Sequence, residues 1–385
     1  MSSPTDRRAA LRIAAGALGF RMLSAVLALF INVAFPLDAP RQMTVYSTPS
    51  PFWDTFARFD SGWYEGIARE GYSYAEGGRS NIAYFPVYPM LMRHVGRLFG
   101  RHHAAFYLGG IIVSWTSFVL AMVVLYCLAR LDLPRRQAER AVLLTAIFPF
   151  AFFFGVIYSE STFLLFTVLA FYLFRTRRWL TGGAAAAVAI ATRVTGVLMW
   201  PALAWAAWRS AEPNPRDRSL AAGALVLSLA AFVWYCGYIY SVSGNPFEWA
   251  STLQRWNYQV GGAPWTAPFT LIGRLLTHPY LFVAGERVGI YDVLYGVTGL
   301  LFLAAVPFVW MRLGAAYGLF MLANLLLPLS SGVFEGVGRY CSVLFPCFIW
   351  LASIRSRFIS ASIVVVFALF YTLGLALFTT IHPLF

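Results

Sequence analysis

Apolar runs close to the ~20 residues that cross a bilayer recur along almost the whole chain. They cover 11–35, 104–128, 220–240, 289–310 and 359–380, with shorter runs between. Only 12% of the 385 residues are charged and 59% are hydrophobic, whereas a soluble domain carries about 25% charged residues. A chain so patterned folds as a polytopic all-α transmembrane bundle. A membrane barrel needs short alternating strands, and none is visible. The whole of 1–385 reads as one integral membrane domain, without repeats, a soluble domain or a cleaved leader.

Charge sets the expected orientation. The formal net charge is +13, and every basic residue is arginine. Basic flanks stay cytoplasmic, so Arg7, Arg8 and Arg12 place the N-terminus inside. The basic loops at 132–140, 175–178, 209–218 and 355–357 return the chain to that side. About eleven crossings follow. Two large outer regions result, 37–83 with amphipathic helices and 243–287 rich in Trp, Pro and Gly. The segment 84–99 reads as interfacial or partly inserted. Because 180–208 begins and ends inside, it must cross an even number of times. Two short or re-entrant helices broken near 192–196 satisfy this, and a break at membrane depth requires burial or a cavity. The arginines flank spans instead of forming a stripe, which excludes nucleic acid as a partner. Cys127, Cys236, Cys341 and Cys347 all fall in apolar segments without metal-ligand spacing, and the histidines form no zinc pair.

Most acidic residues lie on the expected outer side. Asp60 stands in the first outer loop among Phe59, Trp63 and Tyr64. It reads either as a general base at the membrane surface or as the N-cap of the helix that follows. Glu65 and Glu70 read as the solvated face of that helix. Glu160 sits in a tight outer turn and needs water or an arginine partner. Arg193 lies in the helix break, where an intramembrane arginine requires a partner or a wet cavity. It is placed either to hold phosphate or to satisfy freed carbonyls. Arg339 and Tyr340, at the mouth of a late span, offer a phosphate-binding fork or an interfacial anchor. Gln254, Arg255, Trp256, Tyr258 and Trp265 suit a sugar-binding wall or an aromatic belt. Arg21, inside the first span, has no assigned role.

Five pieces occur in order over nearly the whole chain: RFDSGWYEGIAREGY (58–72), AYFPVYPML (83–91), FFFGVIYSES (152–161), ATRVTG (191–196) and GRYCSVLFP (338–346). As an ordered set they resemble the GPI mannosyltransferase II (PIG-V) family and its bacterial relatives, within the GT-C glycosyltransferases. The resemblance implies a bacterial inner-membrane enzyme taking a sugar, usually mannose, from a polyprenyl-phosphate donor on the outer face. It implies a catalytic aspartate in the first outer loop, the place of Asp60. Phe59 stands where the family usually has Trp, and no GPI-specific region is recognisable. The acceptor is then a glycolipid, a polymer or a protein.

Such a donor already carries a stabilised leaving group. The reaction needs one base for the acceptor hydroxyl and positive charge for the phosphate. The expected site is Asp60 as base, with Arg339, Arg193, Glu160, Tyr340, Trp63, Tyr64, Gln254 and Trp256 around the substrate. No cofactor or metal is expected, since Asp54 and Asp60 are too loosely spaced for a metal pair. The chain is expected to act as a monomer among membrane lipids. A lipid-linked-sugar flippase or transporter is the competing reading, and a non-catalytic subunit of a glycosylation complex is a third.

Overall fold

The computed structural model of the protein describes residues 4–38, 50–255, 262–278, 290–331, 334, 336–382 and 384, and these contain helices and no strand. The first long helix is α1 (Pro4–Ala34). The segment after it carries α2 (Pro51–Asp54) and α3 (Ser61–Arg69). Amphipathic α4 (Val87–Arg97) leads into α5 (His103–Ala129), α6 (Arg135–Ala146), α7 (Glu160–Arg175), α8 (Trp179–Ile190) and α9 (Trp200–Ser210). Then come α10 (Pro215–Ser243), α11 (Glu248–Gln254), α12 (Thr266–Thr277), α13 (Ile290–Leu313) and α14 (Ala315–Leu329). The chain closes with α15 (Val337–Ser342), α16 (Phe345–Ala352) and α17 (Arg357–Thr379).

Five described helices are long and apolar enough to cross a bilayer: 7–34, 103–129, 215–243, 293–313 and 357–379. The chain is therefore an integral membrane protein. Local chemistry frames the longest of the later spans. Asn214 caps α10 by accepting from the Asp217 amide at 2.8 Å, Pro215 starts it, and Gly244 ends it at φ +75°. That is the start and stop chemistry a helix requires.

Three further apolar runs are built from shorter pieces. The run 141–157 is not one helix, because α6 stops at Ala146 and a 3-10 turn takes over at Ala151–Gly155. Pro149 disfavours helical geometry in the residue before it. The run 340–354 divides into α15 and α16 ahead of Pro346. The expected break in 180–208 is present, with α8 ending at Ile190 and a 3-10 helix, Val194–Met199, preceding α9. The carbonyl freed at Ala191 accepts from the Val87 amide at 3.0 Å, so this break is satisfied by the segment that opens α4.

Arg21 finds its role at the first of these breaks. It is 1% exposed and donates to the carbonyls of Ala151 (3.0 Å) and Ala146 (3.3 Å). Its guanidinium also lies 4.3 Å from the Phe118 ring centre. A buried cation thus replaces the hydrogen bonds that α6 loses where it stops.

In the bundle α5 packs on α7, α7 on α8, and α8 on α10, while α1 lies against α5 and α17. Lipid offers little hydrophobic drive between helices, so close contact relies on small residues. A Cβ on Gly183 would stand 2.4 Å from the Ala224 carbonyl oxygen. Only glycine lets α8 and α10 approach so closely. The core beneath the site is phenylalanine-rich, with Phe148, Phe150, Phe152, Phe153 and Phe154 all buried.

Polar bonds between loops gather at two ends. At one, Arg175 grips both oxygens of Asp132 at 2.9 and 2.7 Å, Arg140 donates to the Ile354 carbonyl and the Ser360 hydroxyl, and Arg177 pairs with Glu212. At the other, Arg58 Nη2 donates to Asn32 Oδ1 (3.0 Å) and the Thr379 carbonyl (3.2 Å), while Asn32 donates to the Pro51 carbonyl at 2.7 Å. Those bonds staple the segment that carries α2 and α3 to the ends of α1 and α17.

Candidate functional site

Asp60 is presented by a strained turn. Phe59 holds φ +46°, a left-handed conformation that costs a bulky residue of order 1 kcal/mol or more and persists only where its surroundings enforce it. They do so from several sides. The Phe59 ring packs on Phe378 with centroids 5.5 Å apart. Ser61 Oγ accepts from the Arg58 amide and donates to the Ile157 carbonyl, each at 3.2 Å. The Asp60 amide donates to the Tyr158 hydroxyl at 3.2 Å.

Asp60 occupies the N-cap position of α3, yet its side chain makes no capping bond. Its carboxylate is taken up elsewhere. Oδ2 accepts from Arg339 Nη1 at 2.6 Å, and Oδ1 accepts from the Tyr84 hydroxyl at 2.9 Å. The side chain retains 23% exposure. A carboxylate has roughly four lone-pair positions, so two remain for another donor.

Behind this pair lies Glu160, the first residue of α7 and fully buried. Its Oε1 receives both Arg339 Nε and Arg193 Nη1. Burial by itself pushes the Glu160 carboxyl up, but Arg193 and Arg339 together outweigh burial and hold it below its ordinary value. The helix N-terminus adds a further preference for negative charge. Two carboxylates and two guanidiniums leave the cluster formally neutral. Arg339 also lies 4.6 Å from the Tyr158 ring centre, and Arg193 lies 5.4 Å from that of Tyr340.

The cluster opens onto a cavity of about 250 Å³. Asp60, Tyr84, Ser159, Arg193, Arg339 and Tyr340 form its polar side. Phe85, Trp249, Leu253, Leu327 and Pro328 form an apolar side. Among the described residues, Arg339 Nη2 and both Nε and Nη2 of Arg193 have no protein acceptor. These nitrogens are available to an anion in the cavity. No cluster of three or more His, Cys, Asp or Glu side chains suited to a metal ion occurs among the described residues.

The expected site residues are therefore only partly gathered. Asp60, Arg339, Arg193, Glu160, Tyr340 and Tyr64 meet at one place. Tyr64 shares a 2.9 Å hydrogen bond with Ser159 Oγ, and burial pushes its phenol up to about 12. Trp63 stacks on Tyr84 at 6.0 Å and does not line the cavity. Glu160 holds the arginines from behind and is likewise off the cavity wall. Gln254 is exposed and off the wall too, and its α11 neighbours Trp249 and Leu253 take that position. Arg255 turns away to Glu248 (2.7 Å) and the Gly78 carbonyl, and Trp265 is 62% exposed. Trp256 and Tyr258 lie outside the described residues.

Two differences from the sequence reading stand out. Glu65 is not solvated. It is 3% exposed and pairs with His103 Nδ1 at 2.9 Å and Arg69 Nε at 3.1 Å, which ties α3 to the start of α5. Tyr84, unassigned from sequence, holds one oxygen of Asp60. Its only sequence signal was its place in a ring-rich segment, which does not reveal a partner 24 residues away.

Residues 84–236 match the family described as dolichyl-phosphate-mannose-protein mannosyltransferase. That segment includes Tyr84, Glu160 and Arg193 but neither Asp60 nor Arg339. No curated protein matches the chain. Among solved structures, ArnT from Cupriavidus metallidurans bound to undecaprenyl phosphate is similar over 95% of this chain and 76% of its own, at 14% identity and TM-score 0.50. The Archaeoglobus fulgidus oligosaccharyltransferase, tethered with an acceptor peptide, is similar over 95% of this chain and 55% of its own, at 13% identity and TM-score 0.47. The chain spans about half the length of that archaeal protein. The likeness to ArnT shows a shared helical membrane fold.

Proposed function

We propose that the protein transfers a sugar, mannose by its resemblance to the PIG-V family, from a polyprenyl-phosphate donor to an acceptor hydroxyl at the extracytoplasmic surface of a bacterial inner membrane. The observation that carries this reading is the carboxylate of Asp60. It stands at the cavity edge between Arg339 and Tyr84 instead of capping its helix. Support also comes from the GT-C-type fold, from the family matched by 84–236, and from the undecaprenyl phosphate bound to ArnT. The outward orientation rests on the arginine-rich loops at the opposite end of the bundle.

The geometry suits an inverting displacement. Asp60 takes the proton of the acceptor hydroxyl, whose oxygen forms a bond to the anomeric carbon. The bond from that carbon to the phosphate oxygen breaks on the far side, and its electron pair leaves with the lipid phosphate. Arg339 joins these events physically. Nε is held by Glu160, Nη1 by Asp60, and Nη2 is left for the phosphate beside Arg193. Positive charge waiting where negative charge develops lowers the barrier without reorganisation. A β-linked donor gives an α-linked product. Glu160 acts by holding both guanidiniums in place, without touching substrate.

A carrier of the same lipid would use the arginine pair but would have no need of Asp60. The test is Asp60→Asn, inserted and folded as the parent, assayed with radiolabelled polyprenyl-phosphate mannose. Transfer is expected to fall at least about 100-fold. Undiminished transfer would remove Asp60 as the base.

A further inference from the structure

We infer that Tyr84 is a positioning residue for Asp60, setting the plane of the carboxylate so that a free lone pair meets the acceptor hydroxyl. The inference rests on the reading of Asp60 as base. Arg339 alone anchors only one carboxylate oxygen, about which the group can still swing. The Tyr84 hydroxyl at 2.9 Å fixes the other. Burial, with the charge of Asp60 added to it, drives the Tyr84 phenol well above its ordinary range. It therefore stays protonated and serves as a donor throughout.

Tyr84 is itself held at both ends. Its backbone carbonyl accepts from the Tyr72 hydroxyl at 2.7 Å and from the Tyr235 hydroxyl at 3.2 Å. Its ring lies parallel to Trp63 within 15° and meets the edge of Tyr64 at 5.1 Å. Tyr235 belongs to α10 and Trp63 to α3, so the phenol is fixed by two elements besides its own. A loop residue restrained this way has little freedom of its own, and the restraint passes to the carboxylate. The charged groups around Asp60 are Arg339 from α15, Glu160 from α7 and Arg193 from the break. None of them contacts Oδ1 among the described residues.

The experiment compares Tyr84→Phe, Trp63→Leu and Asp60→Asn in the full chain, measuring kcat and donor KM together with thermal unfolding in detergent. Tyr84→Phe removes one oxygen and is expected to lower kcat about 10- to 100-fold, the scale of a misplacement near 1 Å. Donor KM stays within about twofold, because the arginines that meet the phosphate are untouched. Trp63→Leu strips the stacked face while keeping the hydroxyl, and lowers kcat less, again without raising KM. On the residual rate of Asp60→Asn, Tyr84→Phe has no further effect. An unimpaired Tyr84→Phe beside an inactive Asp60→Asn overturns this inference and leaves the base assignment standing. A raised donor KM at unchanged kcat overturns it too, by making Tyr84 a substrate contact. A fully active Asp60→Asn overturns both.

Discussion

Glu160→Gln separates the structural half of the cluster from the chemical half. Glu160 is fully buried, and its partners Arg193 and Arg339 are 11% and 13% exposed. Removing its charge takes the cluster from neutral to +1 with nearly no water to compensate. Breaking a buried ion pair from one side costs about 3–5 kcal/mol. The amide oxygen of glutamine restores one hydrogen bond, about 1 kcal/mol, which leaves about 2–4 kcal/mol. Asp60→Asn removes a charge from the same Arg339, but at a site 23% exposed and bonded to one arginine. Its cost is expected at about 1 kcal/mol. Thermal unfolding of the detergent-solubilised chain should therefore rank Glu160→Gln well below Asp60→Asn, while sugar transfer falls at least about 100-fold in Asp60→Asn. The acid limb adds a check. Glu160 is depressed in the folded state, so its contribution is complete above the ordinary carboxylate value and is lost as pH falls through the depressed one. The parent should show that loss and Glu160→Gln should not. Equal destabilisation by the two variants, or a larger effect from Asp60→Asn, would refute the assignment of Glu160 as the anchor of the arginines.

Arg21→Met should lower the unfolding midpoint by the equivalent of about 2–4 kcal/mol, since two buried carbonyls lose their donor; a variant as stable as the parent would show that the first helix break needs no cap. Gly183→Ala should reduce the yield of folded protein, because the new Cβ meets the Ala224 carbonyl oxygen at 2.4 Å; parental yield and midpoint would mean that α8 and α10 part without cost. Trp249→Ala should raise donor KM about tenfold by removing the apolar wall, with a smaller change for Gln254→Ala on the exposed face; the reverse order would place the substrate on the other side of α11.

Periodicity and charge made most of the helices legible. The run at 220–240 became α10 with its Asn-Pro start and glycine stop, and the paired ends of 180–208 forced a break that the structure places at residues 191–193. Helices that stop early were less legible. An apolar run continues through Pro149 or Pro346 without any change in hydropathy, although the backbone cannot continue with it. Within the site, Arg193 and Glu160 were visible as ionisable groups in need of a partner, and Asp60 and Arg339 as charges expected at the membrane surface. Their connections were not.

Local sequence determined most of the helices and marked several of the polar residues that needed a partner. Only the tertiary structure decided who the partners are. Arg339 reaches Asp60 across 279 positions and Glu160 across 179, and the Tyr158 hydroxyl receives the Asp60 amide across 98. Such pairings depend on which helix ends the bundle brings together. A buried charge states its need locally through the cost of desolvation, but any opposite charge at the right place in space can meet that need.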